Sequence, residues 1–316
     1  MMDRFEYSTP TMGTVLKLVV YADAQASAER WIDAGLSEIE RLMPILNNYS
    51  PQSEISRLNA RCGQAIEISE DLSQVLQHAS RWHELSEGVF DITCGALFEL
   101  WKQARRTKRL PNDIDRKAAL DRCGWKHVQR DNRQVTVHRP GLILDVSGLA
   151  TGYIIDAAIE KMILAGCDSF LMDIGGDIRL GAPPPNKAGW KVDVAGLEKD
   201  SLPIMQLSLA KCSLTTSGDR NQSLSVDGKS YSHLLNPRTG EPLTSHQSCT
   251  AIGIKTVDAD AAATTLSILG RTQSAKIFDN LPIEQAILLF LEPRADSDPT
   301  STPIFSRLTA DRDLGF

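Results

Sequence analysis

The stretch Leu144-Asp145-Val146-Ser147-Gly148-Leu149-Ala150-Thr151-Gly152-Tyr153 decides how this chain is read. Residues 142–146 are apolar enough for a buried-type strand. Small residues and two glycines follow as a turn. Residues 151–165 then repeat apolar side chains at helical spacing, with Ile154, Ile155, Ala158, Ile159, Met162 and Ile163 facing a core. A strand that turns straight into a helix presents free backbone N–H groups to an anion. A second stretch, Asp258-Ala259-Asp260-Ala261-Ala262-Ala263-Thr264-Thr265, spaces an acid and a hydroxyl one helical turn apart. Asp260 and Thr264 would put two oxygen ligands on one helix face, as a hard cation such as Mg2+ requires. Together the stretches suggest a metal-assisted diphosphate site. The plainer reading is that Asp260 caps its helix and Thr264 bonds back to a carbonyl. At the level of the residues both stand.

The chain has 316 residues, with 42% hydrophobic and 23% charged, as expected of a globular protein with a real core. Its net charge of -6 argues against nucleic acid as a partner, because no basic stripe would neutralise phosphates. The basic run from Arg105 to Arg109 reads as solvated surface. Cysteines at 62, 94, 123, 167, 212 and 249 form no CxxC pair and no zinc spacing, so reduced thiols are expected. The N-terminus runs into a strand with no apolar leader, and no run is long enough to cross a bilayer. The expectation is a cytoplasmic protein with no membrane insertion.

Periodicity predicts strands at 12–21, 135–137, 169–173, 190–194, 204–209, 213–216, 231–236, 249–255 and 286–291. It predicts helices at 24–43, 53–59, 71–86, 151–165, 259–269 and 275–280. Pro44 should end or kink the first helix, and Ser274 is placed to cap the last. The strands at 190–194, 204–209 and 213–216 read as one meander, 108–140 as largely irregular, and 299–316 as an irregular polar tail. The fold class is α/β (α+β mixed).

The motifs then add up to a likeness. They are Thr11-Met12-Gly13-Thr14, the run from Tyr49 to Asn59, and Gly88-Val89-Phe90-Asp91-Ile92-Thr93-Cys94-Gly95. Next come Leu144 to Gly148, Asp173-Ile174-Gly175-Gly176-Asp177, Thr216-Ser217-Gly218-Asp219, Tyr231 to Gly240, and Asp260 with Thr264. In this order and at these separations the chain resembles the ApbE family, the FAD:protein FMN transferases. The resemblance covers most of the chain. It implies a single two-lobed domain over 1–316 with a flavin cleft between the lobes. It also implies Mg2+ as cofactor, FAD as substrate, and an acceptor flavoprotein subunit whose Thr or Ser hydroxyl takes the FMN half while AMP leaves. Two alternatives use the same cleft: an FAD pyrophosphatase with water as nucleophile, and a non-catalytic FAD-binding protein.

Position by position, the resemblance assigns Asp260, Thr264 and the Gly148 carbonyl to the metal. It assigns Met12, Tyr49, Val89, Phe90, Asp91, Asp145, Thr151 and His233 to FAD. Thr151 stands where many relatives carry Lys or Glu, and Asp173 where they usually carry Asn. His233 has the unperturbed pKa range suited to taking a proton from an attacking hydroxyl. A structural role for His233 or Met12 is the plainer alternative. Thr216 and Ser217 lack a nucleophile elbow, which excludes a serine hydrolase.

Overall fold

The computed structural model describes residues 2–197, 201–218, 223–226, 228–290 and 304–310. Eight strands build the main sheet: β1 (Asp3–Thr11), β2 (Thr14–Ala22), β3 (Phe170–Ile174), β4 (Asp177–Leu180), β5 (Ser213–Gly218), β6 (Gln247–Gly253), β7 (Gln285–Phe290) and β8 (Ile304–Thr309). They lie side by side in chain order, and every neighbouring pair is antiparallel. The mixed architecture is therefore of the α+β kind. β8 corrects the irregular tail: its residues alternate half-buried and exposed, as an edge strand does. Residues 299–303 and 311–316 of that tail lie outside the described residues.

The helices are α1 (Gln25–Leu46), α2 (Glu54–Asn59), α3 (Glu70–Leu85), α4 (Gly95–Thr107), α5 (Asp113–Leu120), α6 (Ser147–Leu164) and α7 (Thr256–Ile277). α6 packs between α1 and α7, and α7 also packs on β5 and β6. Leu16, Leu18, Val20, Phe170 and Met172 alternate inward from the sheet to meet Leu42, Ile155, Ile159 and Leu266 in the main apolar cluster. The sheet's other face carries Leu180, Leu214 and Ile252 against Trp190 and Val192. Those two belong to a hairpin, Trp190–Val194 with Met205–Leu209, that pairs only with itself. The expected meander is thus split, because the hairpin's apolar face stacks on the sheet instead of extending it. A third cluster joins α4 and α5 through Leu97, Trp101, Ala119, Leu224 and Leu235. The Trp101 indole donates to the Gly240 carbonyl at 2.9 Å and stacks on Tyr231.

Several boundaries differ from expectation for identifiable reasons. α1 carries Pro44 inside its last turn, which closes beyond it through the Asn47 N–H to the Met43 carbonyl at 3.1 Å. α5 lies in the region read as irregular. Asn112 caps it by accepting the Asp115 N–H, but only Ala119 is buried, so apolar periodicity gave no signal. α7 runs through both expected helices with a break at Gly270, where φ is 65°. Ser274 sits inside it and donates to the Leu266 carbonyl. The strand expected at 231–236 is interrupted at His233: Lys229–Ser232 pairs with Ser223–Val226, and Leu235–Asn236 with Glu241–Pro242.

The most informative correction falls on the stretch quoted first. Residues 142–146 alternate between buried and half-buried, but they form no ladder beyond a single bridge from Ile143 to Cys94. Side-chain amides take the place of a neighbouring strand. Asn59 accepts from the Leu144 N–H at 2.8 Å and donates to its carbonyl at 2.9 Å. Asn48 donates to the same carbonyl at 2.8 Å and accepts from the Val146 N–H at 2.9 Å. The segment's backbone groups are thereby satisfied without a sheet. Asn59→Leu, similar in volume but unable to hydrogen-bond, should cost about 1–3 kcal/mol by orphaning the Leu144 N–H, while the Leu144 carbonyl keeps its Asn48 donor. Chemical denaturation would read this as a lower midpoint with unchanged slope.

Candidate functional site

α6 begins at Ser147, so the small-residue run is the helix's first turn and not a loop. Asp145 sets that start: its Oδ1 accepts the Ser147 N–H at 2.9 Å and the Ser147 hydroxyl at 2.6 Å. Its own N–H bonds the Ile92 carbonyl at 2.7 Å, tying the turn to the loop of bends and turns at Val89–Cys94. Ser147 and Gly148 open onto a cavity of about 430 Å³. Asp260 and Thr264, on α7, line the same cavity. The two stretches singled out in the sequence therefore face one space.

The close approach of α6 and α7 makes this possible. A Cβ at Gly152 would lie 2.7 Å from the Thr256 carbonyl oxygen and from the Val257 Cα. One turn on, Asp156 accepts the Thr256 N–H at 2.9 Å and the Val257 N–H at 3.0 Å. These are the orphan donors of the α7 N-terminus, and a half-buried carboxylate on α6 satisfies them. Gly152 and Asp156, four residues apart, form the α6 face that holds α7.

Asp260 is 8% exposed, and its Oδ2 is buried without a hydrogen-bond partner. Burial pushes its carboxyl well above the usual range, and the neighbouring Asp177 charge adds to this. Asp177 also lines the cavity, and burial lifts its carboxyl to about 7. Two desolvated carboxylates side by side, one with an orphaned oxygen, are costly unless a proton or a cation offsets them. Thr264 donates to Ser217 at 3.4 Å, so it does not simply bond back along its helix.

All the sequence-assigned residues line this cavity except Met12 and Thr151. Met12 occupies the tight β1–β2 turn with φ 50° and packs against the main cluster. Thr151 sits in α6, partly buried, outside the cavity wall. Val89 and Phe90 are each 4% exposed, and the Phe90 ring lies against Gly148. Asp91 accepts the Thr93 N–H at 2.8 Å and the Thr93 hydroxyl at 2.6 Å, and burial raises its carboxyl. Tyr49 is 74% exposed, with the Lys102 ammonium 4.6 Å from its ring centre. His233 lines the wall at the break between its two short strands. Asp219, the end of its motif, lies outside the described residues.

Other lining residues were not singled out from the sequence. Asn48 precedes the Tyr49–Asn59 motif and was given no role. Asp177 ends a motif of the family resemblance but was assigned neither to the metal nor to FAD. Arg105 lines the cavity from α4, correcting its reading as solvated surface, and burial lowers its guanidinium pKa. The Asn48-Tyr49 and Gly176-Asp177 pairs were visible signals, since polar residues beside a turn that leads into a buried element commonly point into sites. Among the described residues, no cluster of three or more His, Cys, Asp or Glu suits a metal, so a cation here would rest on few protein ligands. No helix among them is long and apolar enough to cross a membrane.

Comparison with known proteins bears on this geometry. The ApbE family model matches residues 12–288. A Chlamydia pneumoniae FAD:protein FMN transferase is 30% identical over 90% of this chain and 88% of the relative. A Vibrio cholerae protein of the same name is 26% identical over 87% and 84%. The crystal structure of the Pseudomonas stutzeri flavinyl transferase ApbE, apo form, superposes with a TM-score of 0.84 at 23% identity, covering 98% of this chain and 95% of that one, which shows a shared fold. Sequence match, fold and cavity agree, and the chain belongs to the ApbE family.

Proposed function

We propose that this protein transfers the FMN moiety of FAD to a Thr or Ser hydroxyl of an acceptor flavoprotein subunit, with Mg2+ and release of AMP. The observation that carries this reading is the Asp260 carboxylate, buried beside Asp177 with an orphaned oxygen, in one cavity with the α6 N-terminus. That pairing suits a divalent cation and a diphosphate held together. Asp260, Thr264 and the Gly148 carbonyl would hold Mg2+, with Asp177 beside them. When bound, the ion supplies Lewis-acid polarisation of a phosphoryl oxygen and offsets charge on the departing AMP phosphate. The backbone N–H of Gly148, in the first turn of α6, orients the diphosphate. Phe90 and Tyr49 supply apolar and aromatic surface for the planar ring system. His233 takes the proton from the attacking hydroxyl. The names of the relatives support the flavin substrate and the protein acceptor.

The test incubates the protein with FAD and Mg2+, with and without a purified flavoprotein subunit bearing the target hydroxyl. In-gel flavin fluorescence on the subunit with stoichiometric AMP is the expected result. FMN and AMP released without an acceptor would favour the pyrophosphatase, and neither product would leave only flavin binding.

The raised carboxyls also fix the sign of a pH effect. A cation binds the charged carboxylates, so protons must leave as it enters. Apparent Mg2+ affinity should therefore weaken as pH falls through about 7, the value to which Asp177 is lifted. Calorimetric titrations with Mg2+ in buffers of different ionisation heat would read the released protons. Constant affinity and no proton release would contradict the ligand assignment.

A further inference from the structure

α4 carries a block of positive charge along the cavity wall. Lys102, Arg105, Arg106, Lys108 and Arg109 fall within residues 102–109, which hold no acid, in a chain whose net charge is -6. The helix buries Leu97, Trp101 and Ala104, which leaves Lys102 and Arg106 exposed and Arg105 half-buried. Lys108 and Arg109 are exposed beyond the helix end. Lys102 and Arg105 line the cavity. Lys102 and Arg106 also line an open groove between α4 and α5, where Arg122 joins them and the acids are Glu99 and Asp115. Lys102 pairs with Glu99 at 3.4 Å, but both side chains are more than half exposed and such a pair is weak. Among the described residues, Arg105, Arg106, Lys108 and Arg109 form no ion pair at all. Cations near a helix C-terminus offset its dipole. That effect does not require Arg105 to give up water in a cavity wall with no carboxylate beside it, a cost that an anion from outside would offset.

The position of the block narrows the choice of anion. The Lys102 ammonium stands 4.6 Å from the ring centre of Tyr49, a cavity-lining residue that is 74% exposed, so this end of α4 lies at the mouth. The diphosphate site proposed above lies on α6 and α7, not on α4. The cavity's other acids, Asp91, Asp145, Asp177 and Asp260, also come from elements other than α4. A protein that brings a hydroxyl into the cavity has to cross the mouth, and α4 is its cationic side. We propose that the exposed face from Lys102 to Arg109 docks an acidic segment of the acceptor protein, next to the hydroxyl that takes the FMN. That the partner is the acceptor rests on the transferase reading; the preference for acid rests on the charges alone. Rim charges of this kind steer encounter and fix orientation, so the contact should weaken steeply with salt.

The test uses the full chain and fluorescein-labelled peptides that each carry a single Thr, flanked by Asp and Glu, by Asn and Gln, or by Lys. In low salt, fluorescence anisotropy should show the acidic peptide binding about 10-fold more tightly than the amide peptide, with no binding of the lysine peptide. High salt should erase the difference. Arg106→Glu with Arg109→Glu, at exposed positions outside the cavity lining, should weaken the acidic peptide about 10-fold and leave FAD affinity unchanged. Lys161→Glu with Lys276→Glu, exposed on α6 and α7, changes the net charge equally and should leave peptide binding as it was. Equal binding of the acidic and amide peptides, undiminished binding by the α4 variant, or an equal loss in the control variant would each overturn the proposal. Cosedimentation with phosphatidylserine vesicles that the α4 variant abolishes, with no preference for the acidic peptide, would overturn it in favour of a lipid surface. The binding readout needs neither FAD nor Mg2+. Acid-selective binding beside a failed transfer assay would therefore count against the transferase reading and not against the docking face.

Discussion

Asp260→Asn should lower Mg2+-dependent flavin transfer by at least about 10²–10³-fold, the scale on which losing one electrostatic stabiliser of a transition state is felt. The metal-free variant should nevertheless melt no lower than the parent. In the parent this carboxyl is buried with an orphaned oxygen, and the charge of Asp177 raises it further. An amide of the same shape removes the like-charge term and the cost of a desolvated charge. The parent should also gain stability from Mg2+ by mass action, and the variant should lose that gain. Thermal melts with and without Mg2+, beside a transfer assay, read all three effects. Full activity, or an undiminished Mg2+-induced shift, would remove Asp260 from the metal site. Activity lost together with a collapsed melting point would mean only that the core needs the acid.

Gly152→Ala should be strongly damaging for the addition of a single methyl group. The added carbon would meet the Thr256 carbonyl oxygen and the Val257 Cα at 2.7 Å. These are backbone atoms, so no rotamer change relieves the clash. α6 and α7 must separate, and overpacking of this kind costs about 1–3 kcal/mol. The separation also pulls at Asp156, whose carboxylate holds the Thr256 and Val257 N–H groups. It would move Asp260 and Thr264 away from Gly148, so Mg2+ affinity should fall with stability. Gly148→Ala is the control on the same helix. There the nearest atom to a new Cβ is a Phe90 ring carbon at 3.5 Å, an ordinary contact, and stability should hold. If urea denaturation found both variants equally stable, helix contact would not set the site's geometry.

Much of the site was legible because its chemistry is carried by short local patterns. The i, i+4 pair Asp260 and Thr264 and the glycine-flanked start of α6 are properties of single helices, and both reach the cavity. The motif positions Tyr49, Phe90, Asp91, Asp145 and His233 reach it as well. Met12 lies outside the cavity lining, in the β1–β2 turn, because a thioether beside a glycine suits a tight turn as well as a ligand. Asp177 and Arg105 were passed over because their roles depend on burial, which local sequence does not carry. α5 escaped because a helix with one buried residue leaves no periodic trace.

What the sequence by itself determined is the helices with apolar stripes and most of the alternating strands, which follow from side-chain chemistry and spacing along one segment, and the family, which a series of motifs in order along the chain carries. Only the tertiary structure decided that the sheet is antiparallel throughout and that residues 142–146 are not part of it. An apolar run must be buried and its backbone bonded, but two asparagine amides satisfy that requirement as well as a strand does. Which partner a segment takes is a three-dimensional competition among groups far apart in the chain. The same competition placed Asp156 under the α7 N-terminus and Asp177 beside Asp260.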